Sequence, residues 1–470
     1  MPARKVQQQR PRADQYGKPI RKRRIKKKSY RGRWLLIWLA LTGVATLSAT
    51  AGALLAVSIS STPLQQAELS AEESAIFTEG EAISRKSLRL PELTRPVNVL
   101  VLGTKVLTSD VNDPTLPDLG YHALVNSFDG LSDTMLLVRF DPQTEKVLVI
   151  SIPRDTRAYV EGYGVTKINN ANAYGGPALA AKAVSNLLGD VPIDRYVRVN
   201  VQGVEKFIDA LGGVTVYVPK DMKYRDDSQH LYIDLKEGEQ HLNGNKALQF
   251  LRFRYDKYGD IGRVQRQQMM MRALVQQALN PSIVVRVPKI ISVIQSHLDT
   301  NLSVEEIVAL TGFATQSDRS NVQMVMLPGD FNGDGREEVS YWLPSRTGIR
   351  QILAQHFDQG YETVNARDSS YLRVAIQDST DNPQAVRLMV SRLQELGYRN
   401  IYIDDEWPEP LRVTRVIAQR GDSTNAKTVQ GTLGFGEVWV ESTGALNSDV
   451  TIQLGEDWLQ REQLFEGSFR

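Results

Sequence analysis

The feature that most constrains the fold of this chain is a run of 26 uncharged residues, Trp34 to Ile59, directly after a strongly basic N-terminal tail. As a helix, the run would extend about 39 Å, which exceeds the roughly 30 Å of a bilayer core. Trp34 and Trp38 stand at its basic end, where indole rings prefer the membrane boundary. The run therefore predicts a single transmembrane helix over residues 34–59.

The charge distribution predicts the orientation of that helix. Residues 1–33 contain 14 Lys or Arg and one acid, so the tail carries +13 and the rest of the chain 2 − 13 = −11. Basic residues beside a span stay in the cytoplasm, which places the chain after about residue 59 outside the cytoplasmic membrane. A cleaved signal peptide, with small residues such as Ala49 and Ala51 at the cleavage site, is the alternative, but its basic and apolar regions are normally shorter. The position of the tail favours contact with membrane lipids over nucleic-acid binding.

Cysteine and histidine usage excludes two classes of site. The chain contains no cysteine, so thiol nucleophiles, thiolate metal sites and disulfides are all absent. Its five histidines are scattered and show no zinc-protease spacing. Zinc chemistry is therefore not expected.

Alternating strand and helix patterns predict an α/β layer fold, with the strand order left open. An apolar strand begins at Val97, and two further runs, Thr134–Phe140 and Lys146–Ile152, form a predicted hairpin. The strongest helical patterns cover Ala171–Leu188 and Arg263–Leu279. Further elements are predicted at Val204–Leu211, Val214–Val218, Asn243–Phe250 and Ser303–Gly312.

A second, smaller α/β domain is predicted near the C-terminus. It contains a strand at 371–378, a helix at Pro383–Leu396, and strands at 399–405, Arg412–Ala418 and Glu437–Glu441. The predicted organisation is a basic cytoplasmic tail (1–33), a transmembrane helix (34–59), a juxtamembrane spacer (60–95), a main α/β domain (96–345), a linker (346–368) and a C-terminal domain (369–460).

An arginine-rich segment, residues 252–267, gives the clearest indication of chemistry. Guanidinium groups are planar, permanently charged forks that bind phosphate through paired hydrogen bonds. Several of them in one pocket predict a phosphate or pyrophosphate ligand, whereas a solvated basic loop is the alternative. The candidate residues are Arg252, Arg254, Asp260, Arg263, Arg266 and Gln267.

The ends of the predicted hairpin strands supply a second cluster. Asp133 stands at the start of the first strand, and Arg154 and Arg157 follow the second. Strand ends are where α/β folds commonly present functional groups. Asp133 is a candidate Mg²⁺ ligand, and the arginines are candidates for binding the anion that the cation neutralises. The alternative is a turn cap at Asp133 beside a surface pair of Arg154 and Asp155.

Together these motifs resemble the LytR–CpsA–Psr family of cell-envelope glycopolymer transferases, in consistent order over about residues 97–279. Residues 369–458 resemble the C-terminal accessory domain that some members carry. The resemblance implies a layered, mixed central sheet flanked by helices, in a single-pass protein with its active domain outside. The matching motifs are V-L-V-L-G-T (99–104), G-L-S-D-T-M (130–135), S-I-P-R-D-T-R (151–157), T-K-I-N-N-A-N-A-Y-G-G (166–176), V-P-I-D-R-Y-V-R-V-N (191–200), L-G-G-V-T-V-Y-V (211–218), H-L-N-G-N-K-A-L-Q-F-L-R-F-R (241–254) and G-D-I-G-R-V-Q-R-Q (259–267).

The resemblance also implies a reaction, in which a glycan is transferred from polyprenyl pyrophosphate to peptidoglycan. The lipid would occupy an apolar groove lined by the helices Ala171–Leu188 and Arg263–Leu279. Asp133 would bind Mg²⁺, and Asp260 would deprotonate the acceptor hydroxyl. The pyrophosphate would be held by Arg154, Arg252, Arg254 and Arg263, with Arg157, Arg266 and Gln267 as further substrate contacts.

Lys105 departs from the family pattern, because members commonly carry an aspartate at this position. A lysine side chain cannot ligate Mg²⁺. The resemblance therefore leaves two arrangements open. Either the metal relies on Asp133 with help from Asp110, Asp113 or Asp129, or the lysine replaces part of the metal's charge.

A separate segment matches the first half of an EF-hand calcium loop through Asp330, Asn332 and Asp334. Tyr341 stands where such a loop carries its bidentate glutamate, so the match is incomplete. The segment predicts either a polar turn or a calcium-stabilised loop. Two alternatives to the transferase also stay open: a polyprenyl-pyrophosphate phosphatase, and a non-catalytic module that binds envelope lipid or glycan.

Overall fold

The computed structural model describes residues 64–77, 83–85, 91–105, 128–227, 231–253, 260–278, 280–317, 321–332, 340–357, 369–445 and 447–461. The predicted tail and transmembrane helix, residues 1–59, lie outside these ranges. Within them, no helix is both long and apolar enough to cross a membrane.

Helices and strands alternate along most of the described chain. The helices are α1 (Ala71–Ser74), α2 (Asn170–Leu187), α3 (Val201–Leu211), α4 (Gly244–Arg252), α5 (Asp260–Ala278), α6 (Val287–His297), α7 (Val304–Gln316), α8 (Arg346–His356), α9 (Pro383–Glu395) and α10 (Ser423–Leu433). The strands are β1 (Ser84–Arg85), β2 (Glu92–Leu93), β3 (Val97–Lys105), β4 (Leu131–Asp141), β5 (Lys146–Ile152), β6 (Arg157–Val160), β7 (Gly164–Lys167), β8 (Arg195–Val199), β9 (Val214–Val218), β10 (Met222–Asp226), β11 (Leu231–Leu235), β12 (Gly238–Leu242), β13 (Leu298–Thr300), β14 (Val322–Met326), β15 (Gly329–Phe331), β16 (Trp342–Pro344), β17 (Arg373–Asp378), β18 (Asn400–Ile403), β19 (Arg415–Ala418), β20 (Glu437–Trp439) and β21 (Val450–Leu454).

A mixed six-stranded sheet forms the centre of the fold, in the order β13-β8-β3-β4-β5-β14. Strands β3, β4 and β5 run antiparallel to their neighbours in this trio, whereas β8 joins β3 and β14 joins β5 in parallel. The predicted hairpin of β4 and β5 is confirmed, and β4 extends beyond its predicted ends. The layered mixed sheet that the family resemblance implied is therefore observed.

Helices pack on both faces of this sheet, because successive strand residues point to opposite faces. Leu137 and Ile150 belong to a buried cluster that includes the alanines of α2. Their neighbours Leu136 and Val149 pack on the other face, where Met271 of α5 lies. Helices α2 and α5 therefore lie on opposite faces. The prediction that these two helices line one apolar groove is wrong.

The second sheet confirms a C-terminal α/β arrangement and reveals a strand that the sequence pattern does not predict. Its order is β18-β17-β21-β19-β20, so β21 lies at its centre with all five residues buried. Thr451 and Gln453 interrupt the apolar pattern of this strand. Both are nevertheless hydrogen-bonded: the Thr451 hydroxyl accepts from the Ala445 N–H at 3.0 Å, and the Gln453 amide donates to Gln377 at 3.0 Å.

The predicted juxtamembrane spacer is partly built into the fold. The described part contains the short helix α1 and the paired strands β1 and β2. Phe77 and Ile83 are buried. The Ala67 N–H donates to the carboxylate of Asp299 at 2.7 Å, so this segment is fixed to the central sheet at β13.

The first part of the predicted linker is also structured. Helix α8 occupies residues 346–356, and its buried residues are Ile349, Ile352 and Leu353. These side chains belong to the same hydrophobic cluster as α2 and the second sheet. Residues 358–368 lie outside the described ranges.

A half-buried histidine in α8, His356, predicts a pH-dependent stability. Burial, together with the nearby positive charges of Lys146 and Arg139, lowers the pKa of His356 from 6.5 to about 4. Because the unfolded state takes up this proton below about pH 6.5 and the folded state does so only near pH 4, stability falls as the pH drops through that window. The full loss amounts to about 3 kcal/mol. Denaturant unfolding of the wild type and His356→Gln between pH 7.5 and 4.5 checks this: the difference in stability between them should shrink or reverse at low pH. A difference that does not change with pH would contradict the prediction.

Candidate functional site

Asp133 lies on a β-bulge at the end of the central sheet. Gly103 pairs with Thr134 and Thr104 pairs with Ser132, so Asp133 is the extra residue between two pairs of the β3–β4 ladder. A bulge bends the strand and redirects the side chain at that point, and such bulges are common beside active sites. At Gly103 a β-carbon would lie 3.0 Å from the Thr134 side chain, so the close approach of the strands favours glycine here.

Arg154 reaches Asp133 from the loop after the neighbouring strand β5. Its guanidinium donates to the Asp133 carboxylate at 3.0 Å, and both side chains are mostly buried. The same guanidinium lies 3.5 Å from Asp155, which also pairs with Lys167 at 2.8 Å. The site thus contains two carboxylates and two cations in alternation, a set whose charges nearly balance before any ligand binds.

Helix α5 contacts the strand at the bulge through Gln267. The Gln267 side-chain amide donates to the Thr134 hydroxyl at 3.0 Å, next to Asp133 in the chain. Residues three or four apart share a helix face. Asp260 and Arg263 therefore occupy the same face of α5 as Gln267. Asp260, the first residue of α5, lies about 10 Å from Gln267 along the helix axis.

The predicted arginine cluster is only partly brought together in the described structure. Arg266 is buried, and its guanidinium donates to the Phe253 carbonyl and lies over the Phe253 ring at 5.7 Å. This contact joins α5 to the end of α4. Arg252 is the half-buried last residue of α4. Arg254 lies outside the described residues, as do the side chains of Asp260 and Arg263.

Arg157 lies next to the cluster, exposed at the start of β6. The hairpin of β6 and β7 is fixed to the site by its backbone. The Asn169 N–H donates to the Arg154 carbonyl at 3.3 Å, and the Ser132 N–H donates to the Asn169 carbonyl at 3.3 Å. The hairpin therefore moves as one unit with Arg154 and the bulge.

The described residues contain no group of three or more acidic or histidine side chains placed to hold a metal ion. A Mg²⁺ ion bound through one carboxylate and substrate phosphates does not require such a group. Asp133 offers that single carboxylate, with Arg154 on its Oδ1 atom. Lys105 ends β3 opposite Leu131, and its side chain lies outside the described residues.

The calcium-loop segment begins as part of a short hairpin. Asp330 lies in β15, which pairs with β16. The Asn332 side-chain oxygen accepts the Tyr341 N–H at 2.5 Å, and the Asn332 N–H donates to the Tyr341 carbonyl at 3.0 Å. Asp334 lies outside the described residues. The calcium assignment stays a prediction.

Sequence reasoning missed three parts of the site. The bulge at Asp133 depends on strand register, which single-strand patterns do not contain. Thr134 belongs to the G-L-S-D-T-M motif, but its pairing with Gln267 is not predicted. Lys167 was part of a quoted motif but had no predicted role, and the structure pairs it with Asp155. Its position two residues before Asn169 in T-K-I-N-N was the available signal.

Two family models match the chain. Residues 60–358 match the LytR_cpsA_psr family, and residues 371–458 match the model described as LytR cell envelope-related transcriptional attenuator. The first match covers well over half of the chain and includes Asp133, Arg154 and all of α5.

Curated relatives carry names from cell-envelope assembly and regulation. The polyisoprenyl-teichoic acid–peptidoglycan teichoic acid transferase TagV of Bacillus subtilis (strain 168) is 33% identical over 244 residues, 50% of this chain and 62% of TagV. The regulatory protein MsrR of Staphylococcus aureus (strain COL) is 39% identical over 173 residues, 36% of this chain and 51% of MsrR. The chain thus spans about half to three fifths of these relatives. The crystal structure of B. subtilis TagV aligns with a TM-score of 0.47 at 29% identity, over 57% of this chain and 99% of that one.

Proposed function

The chain belongs to the LytR_cpsA_psr family, and on that premise we propose that it is a membrane-anchored phosphotransferase that attaches polyprenyl-pyrophosphate-linked glycopolymer to peptidoglycan. The observation that carries the proposal is the Asp133–Arg154 pair on a bulge, with Gln267 held beside it. Transferase names among the relatives point to the same reaction class.

The proposed reaction needs positioned charge rather than a covalent nucleophile. The hydroxyl oxygen of the acceptor attacks the phosphorus nearest the sugar, and the bond from that phosphorus to the bridging oxygen breaks. Polyprenyl phosphate leaves, and Asp260 takes the hydroxyl proton. In this proposal Arg154, together with Arg252, Arg254, Arg263 and Arg157, stabilises the negative charge that develops on the phosphoryl oxygens. Arg266 would act indirectly, by holding α5 to α4.

The apolar carrier requires a different surface from the one predicted. Because α2 and α5 lie on opposite faces of the sheet, we place the lipid on the α5 face alone. Val101, Val138 and Phe140 are only partly buried there, beside Met271. This layer begins one helical turn from Gln267, so a chain lying on it would leave its pyrophosphate near Asp133.

The proposed location is the cytoplasmic membrane, crossed once by residues 34–59 with the N-terminus in the cytoplasm. The basic tail and the uncharged run support this topology. Substrates on the outer side would then be the lipid-linked glycan and peptidoglycan, with membrane lipids as the third partner and no nucleic acid.

Reconstitution tests the proposed function. The full chain in detergent, incubated with a polyprenyl-pyrophosphate glycan and peptidoglycan fragments, should yield a phosphodiester-linked product and polyprenyl monophosphate, both measured by mass spectrometry. Release of free phosphate without a glycan product would instead indicate a phosphatase. Tight lipid binding without turnover would indicate a binding module.

Chelation of divalent cations provides a further prediction. Mg²⁺, if bound, supplies positive charge to the pyrophosphate, and Asp133 is the residue that would hold it. We expect Asp133→Asn to lower transfer about 100-fold and to raise the Mg²⁺ concentration needed for half of the remaining rate. Titration of Mg²⁺ after EDTA treatment measures both effects. Asp227→Asn, an exposed change beyond β10, is the matched control. An unchanged Mg²⁺ dependence in Asp133→Asn would remove Asp133 from the metal site.

A further inference from the structure

Three tyrosines form an exposed aromatic surface beside the candidate site. Tyr159 in β6, Tyr163 in the β6–β7 turn and Tyr174 in α2 are 57%, 53% and 44% exposed. Val165, the cross-strand partner of Tyr159, is exposed on the same face of the hairpin. Exposed apolar groups that cluster in this way mark interaction sites more often than isolated ones do.

The surface is rigid. The rings of Tyr163 and Tyr174 stack with centroids 4.2 Å apart and an angle of 18° between their planes. The Tyr163 hydroxyl donates to the Tyr174 carbonyl at 3.3 Å. Helix α2 is interrupted immediately after Tyr174 by Gly175 and Gly176, the latter with a φ of 62° that favours glycine. Rings held in this way lose little conformational entropy on binding a ligand.

The surface lies on the hairpin that follows the Arg154 loop of the candidate site. Tyr159 follows Arg154 by five residues, so their α-carbons are at most about 17 Å apart. The backbone hydrogen bonds from Asn169 to Arg154 and from Ser132 to Asn169 fix the hairpin to the bulge. A polymeric ligand on the tyrosines would therefore be long enough to reach Asp133.

Two of the basic side chains around the surface are paired with carboxylates. Lys167 is paired with Asp155, and Lys182 is paired with Glu161. The tyrosines present aromatic faces together with hydroxyl groups, which combine apolar stacking with hydrogen bonding. Sugar rings offer the matching combination of apolar C–H faces and polar edges. Arg157 is exposed on the same face of β6 as Tyr159. A single such charge does not make the basic surface that an anionic lipid layer would require.

We propose that Tyr159, Tyr163, Tyr174 and Val165 form a binding platform for the glycan strand of the peptidoglycan acceptor. The platform holds the strand so that one of its hydroxyls reaches the Asp133–Arg154 site. This inference rests on the proposed function for the identity of the acceptor, whereas binding of the glycan itself does not depend on turnover.

The test measures binding of the full chain to soluble, uncrosslinked peptidoglycan glycan strands. Tyr163→Ala and Tyr174→Ala should each weaken binding about tenfold, whereas Tyr163→Phe should retain most of it because its ring still stacks. Tyr371→Ala is the matched control, since Tyr371 is 71% exposed in another part of the chain. Thermal unfolding verifies that each variant is folded.

Two further measurements separate the possible outcomes. In the transfer assay, the alanine variants should raise the KM for acceptor about tenfold and leave the KM for the lipid-linked donor unchanged. If the wild-type chain shows no transfer but the alanine variants lose strand binding, the platform is upheld and the proposed function is rejected. Unchanged strand binding in both alanine variants would overturn the platform, even if transfer is intact. Loss of binding to vesicles of neutral or anionic phospholipid, with strand binding unchanged, would assign the tyrosines to a membrane surface and also overturn it.

Discussion

Replacing Arg154 with alanine is expected to lower the rate of glycan transfer by about 100- to 1000-fold. The guanidinium donates to Asp133 at 3.0 Å and lies beside Asp155. Its removal leaves two carboxylates near the position proposed for the pyrophosphate, without the cation that separates them. The two carboxylates would then repel the anionic substrate, and the transition state would lose the cation that stabilises it. The rate falls at saturating donor, because the lost interaction strengthens as charge develops on phosphorus.

Two variants make this result specific. Arg154→Lys keeps the charge but not the planar fork, so it should recover only part of the rate. Arg225→Ala removes an arginine whose ion pair with Asp227 is largely exposed, and it should leave the rate unchanged. Transfer is measured with saturating acceptor over a range of donor concentrations. A rate for Arg154→Ala within threefold of the wild type would remove Arg154 from the active site.

The sequence predicts elements best where burial follows a simple period. Strand β9 has its predicted bounds, α2 begins and ends one residue earlier than predicted, and α9 begins at its predicted residue and ends one residue early. Strand β21 escapes prediction because its buried Thr451 and Gln453 interrupt the apolar pattern. Their hydrogen bonds go to Ala445, in the segment before the strand, and to Gln377, in the neighbouring strand β17. Tertiary hydrogen bonds can place polar side chains in a core, and no local pattern anticipates them.

In the candidate site, too, local sequence predicts some features, whereas others depend on tertiary structure. Residue type alone identified Asp133, Arg154 and Gln267, which the structure places around one strand end. Residue type gave the same prediction for Arg266, but helix geometry turns that side chain about 100° away from Gln267 and buries it against Phe253. The prediction of a groove between α2 and α5 is wrong because the face on which a helix packs depends on sheet topology. Neither helix's own sequence contains that information.

The segment after strand β20 of the C-terminal sheet is joined to helix α5 through a buried ion pair. Arg272 in α5 donates to Glu441, with its Nε atom 3.2 Å from the carboxylate, and also to the Thr443 hydroxyl at 3.3 Å. Its guanidinium lies over the Trp439 ring at 5.2 Å. The segment that contains Glu441 also lies beside the edge strand β14, where the Met324 N–H donates to the Val440 carbonyl at 2.9 Å. Arg272 is five residues from Gln267, so this contact fixes the half of α5 that follows the site.

We therefore expect Glu441→Ala to destabilise the protein by about 3 to 5 kcal/mol, because it leaves the Arg272 guanidinium buried without its carboxylate. Denaturant unfolding followed by tryptophan fluorescence measures this, since Trp439 lies directly over Arg272. Glu395→Ala is the control: its partner Arg392 is exposed, and such pairs contribute less than about 1 kcal/mol.

The double variant Arg272→Met/Glu441→Leu should recover most of the stability, because apolar side chains of similar size can replace a buried pair. If recovery of stability also restores transfer, the ion pair serves only to hold the sheet against α5. If transfer stays low in a stable double variant, the polar contact itself sets the position of Gln267. A loss below 1 kcal/mol in Glu441→Ala would contradict the buried pair and, with it, the coupling between the second sheet and the active-site helix.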